Sequence, residues 1–254
     1  MEDCLINKMY KYVKWNEYTF DSIKNNTLFF SKPSCFNDPF DFGFYVNESE
    51  FHDKTIYDEY GKLDEKLKDQ FHQNFYGYVP YGTLYEDLRQ TIIDLFAVCC
   101  FSKIKDNILM FSHYSDRHRG ICLCYDFDIL LGEKHEYWDV EYNNDFPVLD
   151  VTDILNRDNV KKIYANKAVH WSYENEVRLI EHCTERNDIK LIPEGLLWNY
   201  PEKALVEVII GCKMNGKNIK QLKDLLRSKS HYIELYQAYM NLTKYKLEST
   251  KLEY

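Results

Sequence analysis

Nine glycines and six prolines are few for 254 residues, and that scarcity excludes a linker-dominated or low-complexity chain, because Gly- and Pro-rich tracts are what keep segments from packing. Long apolar runs are also missing. No stretch approaches the ~20 apolar residues needed to span a bilayer, and Met1 to Lys8 lacks the basic-then-apolar order of a secretory signal. The sequence therefore reads as a cytoplasmic protein with no membrane partner. A basic block is absent as well: the formal charge is -9, which argues against generic nucleic-acid binding, since that depends on Lys and Arg neutralising phosphates. There is no phosphate loop ending in Gly-Lys-Ser/Thr, no fingerprint of spaced glycines, no paired-histidine zinc helix and no serine elbow between glycines, so several common enzyme classes drop out.

What is present is apolar and aromatic. Hydrophobic residues make up 45% of the chain, with 22 Tyr and 15 Phe, enough for one domain with a substantial core. The eight cysteines are expected as reduced thiols, because disulfide frameworks belong mainly to short exported chains. Cys99 and Cys100 are adjacent, and Cys122 and Cys124 alternate along a strand. Neither pair has the two-residue gap of a zinc knuckle, and no metal is predicted.

Periodicity predicts an α+β fold with a mixed, mainly antiparallel sheet core and flanking helices. Strands are expected at Met9–Val13, Thr27–Ser31, Ala97–Ser102, Ile121–Phe127, Tyr137–Tyr142, Glu176–Glu181 and Ala204–Ile210, with one or two closing strands in Ile233–Leu247. Helices are expected at Asn16–Asn26, Val151–Ala165 and Gly216–Ser228. Thr55 to Phe96 carries helical spacing in two runs broken around Pro80, a candidate helical insertion over one face.

Three polar stretches carry the candidate chemistry. Phe36–Asp41 sets Asn37, Asp38 and Asp41 among aromatics in a turn-rich segment. It reads either as an Asx turn or as a binding loop whose two carboxylates face one pocket. His113–Gly120 is the densest polar run. Histidine changes charge near neutral pH, which suits His113 to acid or base work, Tyr114 offers a ring, and Arg117 and Arg119 offer planar forks for phosphate or carboxylate. The competing reading is a solvated turn with a surface ion pair, in which Gly120 permits a tight approach to the next strand. Trp171–Arg178 runs into a strand, and period-two alternation places Glu176 and Arg178 on one face with Val177 and Leu179 on the other. That pair is either structural or faces a pocket.

These stretches, with Tyr10 and Tyr12, Phe29 to Ser31, Cys100 to Ser102, His113 to Cys122 and Ile209 to Gly211, resemble the bacterial and phage group called the domain of unknown function family 2971. The layout is more loosely similar to ADP-ribosyltransferase-like domains, which use a basic or aromatic residue on a first strand, polar groups on a second, and a glutamate entering a late strand. Tyr10, Lys11 and Tyr12 fill the first place, Ser31 the second and Glu176 the third, with lysine or tyrosine standing where His or Arg is usual.

That resemblance implies an NAD-consuming enzyme, a toxin or antiphage effector whose macromolecular target is left open. Glu176, His113 and Asp38 are its catalytic candidates. Tyr12 or Tyr114 would stack on nicotinamide, Arg117 or Arg119 would meet the pyrophosphate, and Ser31, Asn37, Asp41, Trp171, Glu174 and Arg178 complete the binding set for a nucleotide or other small phosphate-bearing ligand. Two other readings stand beside it. One is a metal-assisted phosphoesterase or nuclease using Asp38, Asp41, His113, Asp116 and His118; the other is a non-catalytic module that senses a nucleotide or a protein.

Overall fold

The computed structural model describes residues 7–46, 93–132, 137–149, 156–184 and 186–254. The chain opens with strand β1 (Lys8–Val13), helix α1 (Glu17–Asn25), β2 (Thr27–Ser31), β3 (Tyr45–Val46) and β4 (Phe96–Ser102). Next come α2 (Ile108–His113), β5 (Ile121–Asp126), α3 (Phe127–Leu131), β6 (Tyr137–Asp139), β7 (Glu141–Asn143) and β8 (Val148–Leu149). Then follow α4 (Arg157–Tyr164), β9 (Asn166–Ala168), a 3-10 turn at Val169–Glu174, β10 (Glu176–His182), β11 (Ile189–Ile192) and β12 (Gly195–Asn199). The last elements are β13 (Leu205–Ile210), α5 (Gly216–Arg227), β14 (Glu234–Met240) and β15 (Leu247–Leu252).

Among the described residues, asparagine starts four of the five α-helices. Asn16, Asn107, Asn156 and Asn215 each sit just before a helix and accept backbone N–H groups of its first turn, satisfying donors that the helix itself leaves open. Asp126 does the same for α3. Asn26 ends α1 in the left-handed region at φ 55°, which turns the chain directly into β2.

Among the described residues eleven strands form one sheet, mostly antiparallel, in the order β11-β12-β2-β4-β1-β5-β13-β14-β15, with β10 paired to β4 and β6 paired to β10. Among the described residues only the β13–β14 pair of this sheet is parallel, and α5 lies between those two strands in the chain. The sheet forks at β4. One edge of β4 is taken along its whole length by β10, whereas on the other edge β2 pairs at Val98 and β1 pairs at Ser102. Where the fork leaves the Cys100 carbonyl open, the Lys11 ammonium donates to it at 3.1 Å.

Period-two alternation sorts the side chains. Met9 on β1, Ala97, Cys99 and Phe101 on β4, Leu123 and Tyr125 on β5, and Val177 and Leu179 on β10 share one core with α1, α3 and α5. On the opposite face two smaller cores form. Val98 packs with Phe42, Ile163 and Tyr164, and Tyr10, Tyr12, Cys122, Cys124 and Ile209 pack with Met110 and Phe111 of α2. Full burial of such side chains contributes about 1.5–3 kcal/mol each. Seven cysteines, from Cys35 to Cys212, are free thiols.

Several expectations are corrected. Tyr137–Tyr142 is two strands, because the Val140 amide still bonds Glu176 while the Glu141 amide turns to Ala165, taking β7 out of the large sheet and alongside β9. Ile121–Phe127 stops at Asp126, whose carboxylate caps α3. The final hairpin runs beyond Leu247 to Leu252, a half-exposed polar strand with no apolar run to announce it. Among the described residues no helix is long and apolar enough to cross a membrane. The candidate insertion at Thr55 to Phe96 lies, apart from its last residues, outside the described ones, and there Phe96 begins β4.

Gly120 and Gly211 let backbones touch around the turn after α2. A Cβ on Gly120 would sit 2.2 Å from the Val13 carbonyl oxygen, and one on Gly211 would sit 2.3 Å from that of His118. Gly120→Ala is therefore expected to cost about 1–3 kcal/mol through overpacking against backbone. Urea denaturation of the variant checks this, and an unchanged midpoint would refute the close approach.

Candidate functional site

The seam between the two smaller cores is filled by charge. Alternation along β10 turns Glu176 and Arg178 to that face, opposite Ser102 and Cys100 of β4. Just upstream the 3-10 turn ends with Glu174 pointing inward, and Asn175, left-handed at φ 44°, reverses the chain into the strand. The Ser102 hydroxyl fixes this reversal by donating to the Glu174 carbonyl at 2.6 Å. Lys167 arrives from β9, opposite Tyr142 of β7, and the Tyr142 hydroxyl oxygen accepts the Glu176 amide at 2.8 Å. Asp41 arrives from the loop after β2, where Asp38 forms an Asx turn by accepting the Phe40 amide at 2.9 Å.

Arg178 is the hub. It is 0% exposed, and its guanidinium donates to Glu176 at 2.8 Å, to both oxygens of Asp41 at 3.0 and 2.9 Å and to the Tyr164 carbonyl at 2.9 Å. The rings of Phe36 and Phe42 lie 5.9 and 4.8 Å from it, a cation–π contact at the range where desolvation strengthens it. Lys167 forms the second node, 2.6 Å from Glu174, 3.1 Å from Glu176 and 3.6 Å from Asp41. Three carboxylates thus share two cations in a buried volume.

The electrostatics separate the two glutamates. Burial alone would raise Glu176, but the Arg178 guanidinium and the Lys167 ammonium outweigh it and hold the carboxyl below its ordinary range. Glu174 is raised, burial being the largest cause, Lys167 opposing it and the nearby Glu176 charge adding to it. Its other oxygen accepts the Tyr114 hydroxyl at 2.5 Å, and burial together with the Glu174 charge pushes that phenol upward. Both cations are desolvated, yet the carboxylates around them keep them protonated: Lys167 and Arg178 are raised.

Above the ions lies a rim of rings. His113 is exposed, while Tyr114, Trp171 and Tyr173 are half-buried. The His113 ring centroid is 6.5 Å from Trp171, 6.3 Å from Tyr173 and 6.4 Å from Tyr114, and Trp171 is 6.0 Å from Tyr173. The Trp171 indole covers the Lys167 ammonium at 5.0 Å and donates to Asp38 at 2.6 Å. Asn107 joins α2 to the 3-10 turn by donating to the Tyr173 carbonyl at 2.6 Å.

Of the residues singled out from sequence, Asp38, Asp41, His113, Tyr114, Trp171, Glu174, Glu176 and Arg178 gather here. The others do not. Tyr12 is buried, its hydroxyl donates to the Ile104 carbonyl at 2.7 Å and its ring meets Phe111 edge-on, so it offers no open stacking face. Ser31 lies within β2, and its hydroxyl donates to the adjoining Lys32 carbonyl. Asn37, Arg117 and Arg119 are exposed, and Arg119 makes a long 3.9 Å pair with Asp116. His118 stacks on Phe111 instead. The five ligands of the metal reading are therefore split between separate places, and among the described residues no three His, Cys, Asp or Glu side chains are placed to hold a metal ion.

The sequence does not single out Lys167, Asn107 or Tyr142, and it marks the stretches that hold Ser102 and Tyr173 without giving either residue a role. Lys167 stands alone in Asn166–Ala168, and nothing local distinguishes it from a surface lysine. The Asn-Ile-Leu opening of α2 was a readable helix cap, but its second role at Tyr173 depends on the fold.

Residues 110–179 match the sequence pattern of a family described as protein of unknown function, DUF2971. That stretch takes in every charged residue of the buried network except Asp41, and the whole aromatic rim. No curated protein and no solved structure matches the chain.

Replacing Arg178 with Leu leaves Asp41 and Glu176 with Lys167 as their one remaining shared cation, an expected loss of about 3–5 kcal/mol, measurable by urea denaturation. The pH dependence has two parts with opposite sign. Glu174 binds its proton more tightly when folded, so its penalty is relieved as pH falls toward the ordinary glutamate value near ~4.3. Glu176 binds its proton more weakly when folded, so its stabilisation is present above that value and is lost as pH falls further. Stability curves against pH should lose the first limb in Glu174→Gln and flatten in the second in Glu176→Gln; identical curves for both variants would contradict this assignment.

Proposed function

We propose that the rim and the carboxylate beneath it form the substrate site of an NAD-consuming enzyme of the ADP-ribosyltransferase-like kind. Cleaving the bond between nicotinamide and ribose builds positive charge on the sugar, so the chemistry needs a fixed carboxylate next to a place where a planar ring can rest. Glu174 suits that role better than Glu176. Glu176 is engaged by Arg178 and Lys167, whereas Glu174 has one oxygen on Lys167 and the other on Tyr114. The observation that carries the proposal is this Tyr114–Glu174 bond, since it joins an aromatic of the rim to the buried charge. Tyr114, Trp171 and Tyr173 are then the nicotinamide platform, His113 and Asp38 position substrate, and Lys167 with Glu176 and Arg178 hold Glu174 in place. A toxic or antiphage role, with a macromolecule as acceptor, belongs to the same proposal.

A second reading, a non-catalytic module that senses a nucleotide or protein, is favoured by a specific observation. Each of the five buried ions already has its partners inside the protein, and Glu174 is 2% exposed.

Purified protein incubated with NAD should release nicotinamide or transfer the ADP-ribose to a target, read by chromatography and label transfer. Glu174→Gln should lower the rate about 100-fold or more, the scale of losing one electrostatic group at a reacting centre, with its circular dichroism unchanged, while Trp171→Ala should act mainly on KM. NAD binding without turnover, together with a cellular phenotype that survives Glu174→Gln, would favour the sensing module. Absence of both binding and turnover would reject NAD altogether.

A further inference from the structure

Away from the ion network, the left-handed turn after α2 and the β14–β15 hairpin enclose a groove of about 490 Å³. Its lining includes Ile108, His118, Lys213, Lys244, Tyr245 and Lys246, and among the described residues no Asp or Glu contributes to it. In a chain of formal charge -9 this is a local reversal of sign. Among the described residues none of these three lysines lies within ion-pair distance of a carboxylate. Three unneutralised ammonium groups along one groove repel one another and favour an anion between them.

The apolar part of the groove is also exposed. Leu242 and Tyr245 stand at 97% and 103% exposure on the hairpin turn, although that turn is ordered by Asn241, which accepts the Thr243 and Lys244 amides at 2.9 and 2.8 Å. The other wall is lined by His118, the last of three consecutive residues, Asp116, Arg117 and His118, held at positive φ of 44°, 54° and 70° in a region that side chains disfavour. This conformation is locked from behind, where the Lys213 amide donates to the His118 carbonyl at 2.9 Å. The buried His118 Nδ1 has no hydrogen-bond partner among the described residues.

We propose that this groove is a second ligand site, which takes the phosphate group of a mononucleotide among Lys213, Lys244 and Lys246, with its base against the apolar wall at Tyr245. The volume is within the range of small-molecule sites. Ammonium groups bind phosphate as point charges without needing a fixed fork, and a tyrosine face accepts a base of any identity. The overall negative charge disfavours a long nucleic-acid strand, which would carry many phosphates past acidic surface, and leaves a single nucleotide as the occupant. The site is separate from the rim at Trp171, so it stands or falls independently of NAD turnover.

Calorimetric titration of the full chain with ATP at low salt tests it, with adenosine and inorganic phosphate as probes of the two halves. ATP is expected to bind more tightly than either half. The double variant Lys213→Glu/Lys246→Glu should weaken ATP by about tenfold or more, Tyr245→Ala should weaken it while leaving inorganic phosphate unaffected, and Trp171→Ala should leave ATP unchanged. The proposal is overturned if ATP fails to bind, if the lysine reversals leave its affinity intact, if an acidic peptide binds better than ATP, or if Trp171→Ala abolishes ATP binding. That last outcome would place the nucleotide at the rim instead.

Discussion

A guanidinium with no exposure to water must be surrounded by acceptors, and much of the architecture on one face of the sheet answers to that requirement at Arg178. Burying such an ion unpaired costs several kcal/mol after relaxation. The cost is offset by two carboxylates, a carbonyl and two aromatic faces drawn from β10, from the loop after β2 and from the end of α4. Elements far apart in the chain are thereby tied to one point. The loop from Phe36 to Phe44 is ordered for this reason: Asp41 is bound at one end of it, and Phe36 and Phe42 pack edge to face at 4.7 Å.

Three acids around two bases leave an imbalance, and its consequence falls on Glu174. Glu176 lies between both cations and is held ionised by them. Glu174 has only Lys167 and a phenol, and burial raises it. The network thus divides two neighbouring glutamates into a structural anion and a group whose protonation responds to its surroundings. The second of these touches the aromatic rim through Tyr114, which is why it, rather than the residue at the start of the strand, carries the proposed reactive role.

The cation–π contact of Trp171 over Lys167, with Asp38 holding the indole nitrogen, closes the network toward solvent. The proposed substrate chemistry at Glu174 therefore depends on how the rim is arranged, and the rim in turn depends on Asn107 and Ser102, which fasten the 3-10 turn from below. Positions of this kind act through backbone carbonyls and carry no chemical signature of their own.

Local pattern determined most of the described elements: the alternation that set Glu176 and Arg178 against Val177 and Leu179, the asparagine caps, and the mainly antiparallel sheet follow from side-chain periodicity and backbone donors, which act over a few residues. It also marked the three polar stretches whose members meet. Only the tertiary structure decided which members those are. Tyr12 and Ser31 were absorbed into packing and pairing, Arg117 and Arg119 were left on a solvated turn, and an inconspicuous Lys167 became a node, because burial and Coulomb attraction depend on distances through space that spacing along the chain does not encode.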